Sequence, residues 1–195
     1  MFFYNEYRGR LEFARLALSA IETKSLEGSI IQLGCWAGKQ SCILAKCMYP
    51  EILICCDEWQ GLKRETIATG KTHPTEITAK ETNIFDHFVH NMNSYTHLNY
   101  TIVKKDCVDF IKEYDGKIKF LFINDSNDYG TVHEIISSAL PKMVEGGCIC
   151  GENFIHAHKD RKDLQGGVER AVRELLPSFD HKNNLWYCKI EASSK

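Results

Sequence analysis

Apolar and polar positions alternate along the chain in blocks that predict strands and helices in turn. Short apolar runs predict strands at residues 30–34, 52–56, 99–104, 118–123, 148–151 and 185–191. Apolar residues at helical spacing predict helices at residues 5–23, 39–48, 81–94, 107–114, 130–142 and 166–176. Such alternation is typical of an α/β fold with a parallel, doubly wound sheet. A further short strand is predicted near residues 178–181, and Gly146 with Gly147 is interpreted as a break just before the fifth strand.

Two long polar segments interrupt this alternation and are interpreted as loop insertions. Residues 61–80 follow the second predicted strand and are rich in threonine. Residues 154–165 follow the fifth predicted strand and carry two histidines. Loops of this length in a compact domain are usually functional or disordered. Both leave the same edge of the sheet, so we expect them to enclose a bound ligand, and we predict one domain over residues 1–195.

The first predicted strand ends in a glycine turn, Gly34-Cys-Trp-Ala-Gly38, that leads into a helix. Such a turn places backbone N–H groups and a helix N-terminus where α/β sheets bind nucleotides. Asp57 ends the second strand, where a carboxylate can accept hydrogen bonds from both hydroxyls of a ribose. Together they predict a nucleoside-cofactor site, although glycine turns also serve as plain strand–helix connections.

Trp36 indicates which kind of cofactor the glycine turn can bind. It stands where the dinucleotide fingerprint has the glycine that lets the backbone approach a pyrophosphate. The turn therefore disfavours a nicotinamide-dependent oxidoreductase and favours a cofactor without phosphates, such as S-adenosylmethionine (SAM).

Composition and charge are ordinary for a soluble globular protein. The 195 residues are 44% hydrophobic and 26% charged, with a net charge of −2. This balance gives no electrostatic case for binding nucleic acid or a membrane surface. No segment approaches the ~18 apolar residues of a membrane span, and the N-terminus lacks signal-peptide features. We expect a cytoplasmic protein whose nine cysteines, which form no C-x-x-C pair, are mostly buried, reduced thiols.

Several segments carry motifs that occur together, in this order, in one enzyme group. Residues 31–41 resemble its "E-I-G-x-x-x-G" cofactor loop, and residues 56–61 its "D-x-W-x-G". Residues 122–129 stand at "I-D-G-x-H-x-Y", residues 143–153 at "L-x-P-G-G-x-I-x-x-D-D" and residues 167–172 at "G-V-x-x-A-V". The chain thus resembles the small single-domain class I SAM-dependent methyltransferases of the family 24 type. The resemblance implies a Rossmann-like doubly wound sheet of seven strands, mostly parallel with an antiparallel C-terminal strand, and helices on both faces.

The resemblance also implies which first-motif residues meet the cofactor. Gly34, Trp36 and Gly38 would pack against the methionine part of SAM. Gln32 stands where the group usually has an acidic residue, so this chain lacks a carboxylate expected near the SAM ammonium.

The nucleoside part of SAM would lie at the ends of the second and third strands. Asp57 would hold the ribose with Trp59 beside it, and Asp106 and Cys107 would border the adenine.

The transferred methyl group and its acceptor would be faced by Asn124 and Asp125, after the fourth strand. Asn124 replaces a usual Asp, and Asn127 stands where many relatives have a His. A hydroxyl acceptor needs a base or a metal. Asp125, His156 and His158 are the candidate catalytic residues, and the two histidines also fit solvated surface positions.

A Mg²⁺ site is a further expectation at these strand ends. Asp125, Glu152 and Asn153 supply oxygen ligands, and metal-dependent O-methyltransferases have Asp-Asp or Asp-Asn where this chain has Glu152-Asn153. In those relatives the first metal ligand aligns better with Asn124 than with Asp125.

Two functions remain open within the resemblance. The first is O-methylation of a small molecule by in-line transfer from SAM. The second is a SAM-binding protein without methyl transfer, acting as a partner or binding module, which Gln32, Asn124 and Asn127 favour. Aromatic residues 2–7 are expected to pack on the domain or on a symmetry partner, which leaves a homodimer open.

Overall fold

The computed structural model describes residues 6–61, 78, 81–155 and 166–191, with side chains from residue 12 onward. Its strands are β1 (Ser29–Leu33), β2 (Leu53–Asp57), β3 (Tyr100–Lys104), β4 (Ile118–Ile123), β5 (Met143–Gly151), β6 (Asp180–Lys182) and β7 (Leu185–Lys189). Its helices are α1 (Glu6–Ile21), α2 (Lys39–Met48), α3 (Ile84–Asn93), α4 (Cys107–Glu113), α5 (Tyr129–Ala139) and α6 (Gly167–Leu175). A 3₁₀ turn at Leu140–Lys142 joins α5 to β5.

The strands form one seven-stranded sheet in the order β3-β2-β1-β4-β5-β7-β6. The five strands from β3 to β5 in this order each pair in parallel with the next. β7 runs antiparallel to both β5 and β6. The fold class implied by the resemblance is confirmed, with β7 as the antiparallel strand. Because β1, β2, β4 and β5 end at the same edge of the sheet, the segments that follow these strands meet there.

Apolar side chains on both faces of the sheet explain the two layers of helices. Successive strand residues point to opposite faces, so Ile30 and Ile31 of β1 belong to different core clusters. One cluster packs residues of α1, α2 and α3 against the sheet, including Leu16, Leu44 and Phe88. The other packs residues of α4, α5 and α6 on the opposite face. Each fully buried Leu, Ile or Phe contributes about 1.5–3 kcal/mol to this assembly.

Short-range capping fixes where several helices begin. The Asp106 carboxylate accepts from the N–H groups of Val108 and Asp109 at 2.9 and 3.0 Å, which starts α4. Asp128 accepts from the Thr131 N–H at 2.8 Å and starts α5. Gly38 and Gly166, both with left-handed backbone, precede α2 and α6.

The fifth strand begins earlier than the sequence predicts. β5 starts at Met143 rather than at 148, and the glycines interpreted as a break before it lie inside it. Its pairing with β4 is irregular, because Ile118 faces Met143 whereas Phe120 already faces Cys148. A Cβ on Gly147 would lie 2.9 Å from the carbonyl oxygen of Lys119. The glycine therefore lets an irregular strand stay in contact with β4 instead of ending it.

A buried lysine ties β4 to the amino edge of the sheet. The Lys119 side chain is 2% exposed, and its ammonium forms an ion pair with Glu51. The same ammonium donates to the Leu26 carbonyl at 2.9 Å, in the turn between α1 and β1. All the partners of this charge are oxygen atoms, which is what a buried cation needs.

No helix in the described ranges is long and apolar enough to cross a membrane. All nine cysteines are free thiols, and seven of them are buried.

Candidate functional site

The turn after β1 and the segment after β4 are in direct contact at the carboxyl edge of the sheet. Gly34 has φ +79°, and a Cβ there would lie 2.4 Å from the Asn124 carbonyl oxygen. The Gly34 N–H donates to Cys56 and the Asn124 N–H to Leu33, at 2.9 and 2.8 Å. Only glycine permits this approach, so Gly34 brings three strand ends into one place.

At the other end of the turn, Gly38 begins α2 with φ +83°. A Cβ on Gly38 would lie 3.0 Å from the ring of Phe88 on α3. The two glycines predicted from the sequence thus allow different contacts, one to β4 and one to α3.

The Asp57 carboxylate receives three backbone N–H groups. Its Oδ2 accepts from Cys35 at 2.7 Å and from Trp36 at 2.9 Å, and its Oδ1 accepts from Trp59 at 2.6 Å. The residue predicted to meet the cofactor ribose therefore holds the glycine turn and the segment after β2.

Two tryptophans complete this arrangement. Trp36 and Trp59 have φ +47° and +55°, which is unusual for bulky residues. The Trp59 indole N–H donates to the Trp36 carbonyl at 2.8 Å. The Trp59 ring is 5% exposed and packs against Phe85 and Phe88, with ring centroids 4.9 Å away in each case. Trp59 is thus a structural neighbour of the turn.

Gln32 is fully buried on β1, beneath the turn. Its amide nitrogen donates to the Gly34 carbonyl at 3.2 Å. Its Oε1 is buried and accepts no hydrogen bond from the described part of the protein. A buried acceptor without a donor is costly, and a ligand N–H group at this point would satisfy it.

Cys35 and Cys107 are buried thiols, one in the glycine turn and one at the start of α4. Burial raises the pKa of the Cys35 thiol well above its ordinary value. The hydrogen bond with Cys56, together with burial, raises the pKa of the Cys107 thiol. Thiols that stay protonated are poor nucleophiles, so neither Cys35 nor Cys107 is a candidate for nucleophilic catalysis. Asp106 lies beside Cys107 as the cap of α4.

Three asparagine side chains form a hydrogen-bonded chain across the ends of β4, β5 and the β6–β7 turn. Asn153 donates to the Asn124 Oδ1 at 3.4 Å, and Asn184 donates to the Asn153 Oδ1 at 3.3 Å. The Asn184 Oδ1 in turn accepts from the Ile155 N–H at 3.1 Å. Asp125 follows Asn124 and is half-buried. The structure thus places Asn153 between Asn124 and Asn184.

Glu152 lies at the end of β5 beside the first turn of α2. Gln40 donates to its Oε1 at 3.1 Å. Burial raises the pKa of the Glu152 carboxyl above its ordinary value, and the Gln40 hydrogen bond opposes that rise. The site therefore holds a carboxyl group that is easier to protonate than one on the surface. The sequence analysis singled out neither Gln40 nor Asn184, because their contacts with Glu152 and Asn153 join residues that are far apart in the sequence.

The predicted Mg²⁺ site is not supported. Within residues 6–61, 78, 81–155 and 166–191, no group of three or more His, Cys, Asp and Glu side chains could hold a metal ion. Two of the oxygens that a cation would use, on Asn124 and Asn153, accept hydrogen bonds from amide N–H groups instead. Asp125, Glu152 and Asn153 are better explained as hydrogen-bonding groups.

Part of the predicted site falls outside the described residues. His156 and His158 do, as do most of the loops predicted at 61–80 and 154–165. The catalytic role of the two histidines stays a prediction.

Comparisons with known proteins identify the type of domain and its fold. A family model described as "Methyltransferase domain" matches residues 31–154. No curated protein matches the sequence. Among solved structures, the O-methyltransferase NovP is 12% identical, with a TM-score of 0.69 over 92% of this chain and 79% of its own.

Two further solved structures are similar to the chain. An S-adenosylhomocysteine (SAH)-bound methyltransferase from Podospora anserina, PaMTH1, is 13% identical, with a TM-score of 0.59 over 94% of this chain and 79% of its own. An rRNA methylase from Streptococcus thermophilus is 11% identical, with a TM-score of 0.62 over 95% of this chain and 97% of its own. At these identities the structural likeness shows the fold.

Proposed function

The chain belongs to the methyltransferase domain family, and on that premise we propose that it transfers a methyl group from SAM to a hydroxyl group of a small molecule. The observation that carries the proposal is the Gly34–Gly38 turn, held against the ends of β2 and β4 by its glycines and by Asp57. This turn follows the first strand, where α/β sheets bind their cofactors.

The residues around the turn fit SAM better than a dinucleotide. Gln32 offers a buried Oε1 without a donor, which suits an ammonium or amide N–H. Trp36 occupies the place where a pyrophosphate-binding turn needs glycine. Cys107 and the capped start of α4 supply a partly apolar wall at the end of β3, suited to an adenine.

SAM brings most of the chemical reactivity itself, as an activated methyl donor. The chain has to bind SAM, align the acceptor oxygen at about 3 Å from the methyl carbon, and take up the proton of the hydroxyl. Asn124 and Asp125 are our candidates for the first two tasks, and the contact of their segment with the glycine turn supports this. Asp125, His156 and His158 are our candidates for the third.

A small hydroxyl acceptor agrees with the groups that lie next to the turn. Amides of Asn124, Asn153 and Asn184, with the carboxyl group of Glu152, can donate to and accept from hydroxyl groups. The net charge of −2 gives no electrostatic case for a nucleic-acid acceptor. NovP is an O-methyltransferase, which agrees with an oxygen acceptor.

Calorimetric titration of the purified protein with SAM and with SAH tests the cofactor directly. We expect micromolar binding of both and none of NAD. At a hundredfold excess over Kd, SAH should stabilise the fold by about 2.7 kcal/mol. Binding of NAD alone would overturn the proposal, and failure of both SAM and SAH to bind would show that the fold no longer uses this cofactor.

A SAM-binding protein without transfer activity is the second candidate. The observation that favours it is Asn124, an amide that stands where the resemblance has an acidic residue and whose Oδ1 accepts from Asn153. SAH formation distinguishes the two functions. With SAM and a panel of phenols, catechols and sugars, an enzyme forms SAH faster with one acceptor than without any. Tight SAM binding with no acceptor-dependent SAH across the panel would favour the binding protein.

A further inference from the structure

We propose that Asp57 is a positioning residue, whose contribution to cofactor affinity comes through the shape of the Gly34–Gly38 turn rather than through the ribose hydroxyls. The inference rests on the proposed function and adds to it. It assigns Asp57 a task different from the one that its position in the sequence predicts.

The first argument is how the carboxylate is used. Its Oδ2 already accepts two N–H groups of the turn, from Cys35 and Trp36, and its Oδ1 accepts the Trp59 N–H. A carboxylate has about four acceptor positions, so three of them serve the protein itself. One position, on Oδ1, is left for an external donor, whereas a ribose offers two adjacent hydroxyls.

The second argument is the conformation that these bonds hold. Trp36 and Trp59 both have positive φ, at +47° and +55°. Bulky residues keep such a backbone only where their surroundings impose it. Asp57 bonds the N–H groups of both residues, and the Trp59 indole bonds the Trp36 carbonyl. Without the carboxylate, the turn loses the partner that its N–H groups share.

The third argument concerns selectivity. Successive backbone N–H groups that converge just before a helix form a site that attracts anions, and phosphate-binding turns use such groups. Here the N–H groups of Cys35 and Trp36 converge on Asp57 Oδ2. The carboxylate thus occupies the position that a phosphate would take. Asp57 therefore both shapes the turn and disfavours the binding of phosphate-bearing nucleotides.

The test combines Asp57 variants with ligands that lack ribose hydroxyls. SAH and its 2′,3′-dideoxy analogue are titrated into the wild type, Asp57→Ala and Asp57→Asn. We expect Asp57→Ala to weaken SAH binding about tenfold or more, since charge-assisted hydrogen bonds are lost. Asp57→Asn should lie nearer the wild type, because its amide oxygen can still accept both N–H groups of the turn.

The decisive quantity is the coupling between variant and ligand. Removal of the two ribose hydroxyls from the ligand should change its affinity by the same factor, within about twofold, for the wild type and for Asp57→Ala. The proposal is overturned if this loss costs the wild type tenfold or more and costs Asp57→Ala nothing. Should Asp57→Ala fail to fold, Asp57→Asn provides the same comparison.

Asp128→Ala is the matched control for Asp57→Ala. Asp128 also accepts a backbone N–H, from Thr131, but at the start of α5. This variant should lower stability, because a helix N-cap is lost, and leave SAH affinity within twofold. A similar loss of affinity in both variants would make the Asp57 effect one of general stability and overturn the proposal.

Amide hydrogen exchange on the ligand-free protein separates this inference from the proposed function. The amides of Cys35, Trp36 and Trp59 should exchange slowly in the wild type, and at least tenfold faster in Asp57→Ala than in Asp128→Ala. Fast exchange of all three amides in the wild type would overturn the anchoring role even if SAH binds. Slow exchange without SAH binding would keep the anchoring role and reject the cofactor.

Discussion

Gly34 shows how one missing side-chain atom shapes the site. Its φ of +79° and its distance from Asn124 both exclude a Cβ, which would lie 2.4 Å from a carbonyl oxygen. A backbone atom cannot move aside as a flexible side chain can. The contact between the turn after β1 and the segment after β4 therefore depends on the identity of this residue.

Gly34→Ala should destabilise the protein by about 3 kcal/mol or more, since strain at positive φ adds to a clash with backbone. Gly166→Ala is the matched control, because Gly166 has a similar φ of +74° but no atom of the described residues within 4 Å of its Cβ position. It should cost only about 1–2 kcal/mol. Urea denaturation followed by circular dichroism measures both. Equal losses of stability in the two variants would show that the close approach of Gly34 to Asn124 does not add to the cost of the substitution.

The asparagine side chains lead to a prediction about metal. Because the Asn124 and Asn153 oxygens accept protein N–H groups, removal of divalent ions should leave SAH affinity and the melting temperature unchanged. Titration of SAH in the presence of EDTA, and again with millimolar Mg²⁺, measures this. A Kd that shifts more than threefold between the two conditions would contradict the account of these amides.

At the scale of elements, Lys119 joins β4 to the turn that precedes β1. Its ammonium is buried and bonds both Glu51 and the Leu26 carbonyl. A buried charge is costly by itself, and taking away its partner is worse than replacing the charged residue with an apolar one. The two halves of this ion pair should therefore respond differently to substitution.

Glu51→Gln should cost about 1–2 kcal/mol, less than a fully buried pair would lose, because the Glu51 side chain is 31% exposed. Lys119→Met, which keeps the length of the side chain, should stay within about 1 kcal/mol of the wild type. Urea denaturation curves of equal slope are compared by their midpoints, and the lower midpoint identifies the less stable variant. Greater destabilisation by Lys119→Met would mean that the lysine's bonds outweigh the cost of burying its charge.

The elements that the sequence predicted well are those with a local signal. Hydrophobic runs located β1, β2 and β4 closely, and glycine spacing located the turn after β1. The start of β5 was missed, because glycines usually end a strand and here Gly147 permits contact with Lys119. Asn184 was missed because an antiparallel strand pair brings it to the site from more than 30 residues beyond Asn153. The bonds of Asp57 were missed too, since sequence position cannot tell a ligand contact from an internal one.

For the whole molecule, the cysteines report on packing. Seven of the nine are buried, and Cys42 and Cys47 are partly exposed. Burial raises the pKa of Cys42 and of Cys47, and the pKa of Cys188 rises to about 11. A raised pKa leaves less thiolate at neutral pH, so even the partly exposed thiols should react slowly.

Brief treatment of the native protein with iodoacetamide at pH 8 should therefore add at most two groups. The same treatment in guanidinium chloride, without reductant, should add nine, because all the cysteines are free. Intact mass spectrometry counts the additions. Three or more fast additions to the native protein would show that a buried cluster opens, and fewer than nine in denaturant would reveal a disulfide.

The strand order has a consequence for how the protein is made. β7, at residues 185–189, lies inside the sheet between β5 and the shorter β6. During synthesis the chain emerges from its N-terminus onward, so the outer edge of β5 stays unpaired until residue 189 has left the ribosome. Trp186, which fills the space beside Gly151, is missing for the same period. A ribosome that stalls between β5 and β7 would hold a nascent chain with an open sheet edge, which is the state most exposed to chaperones and to aggregation.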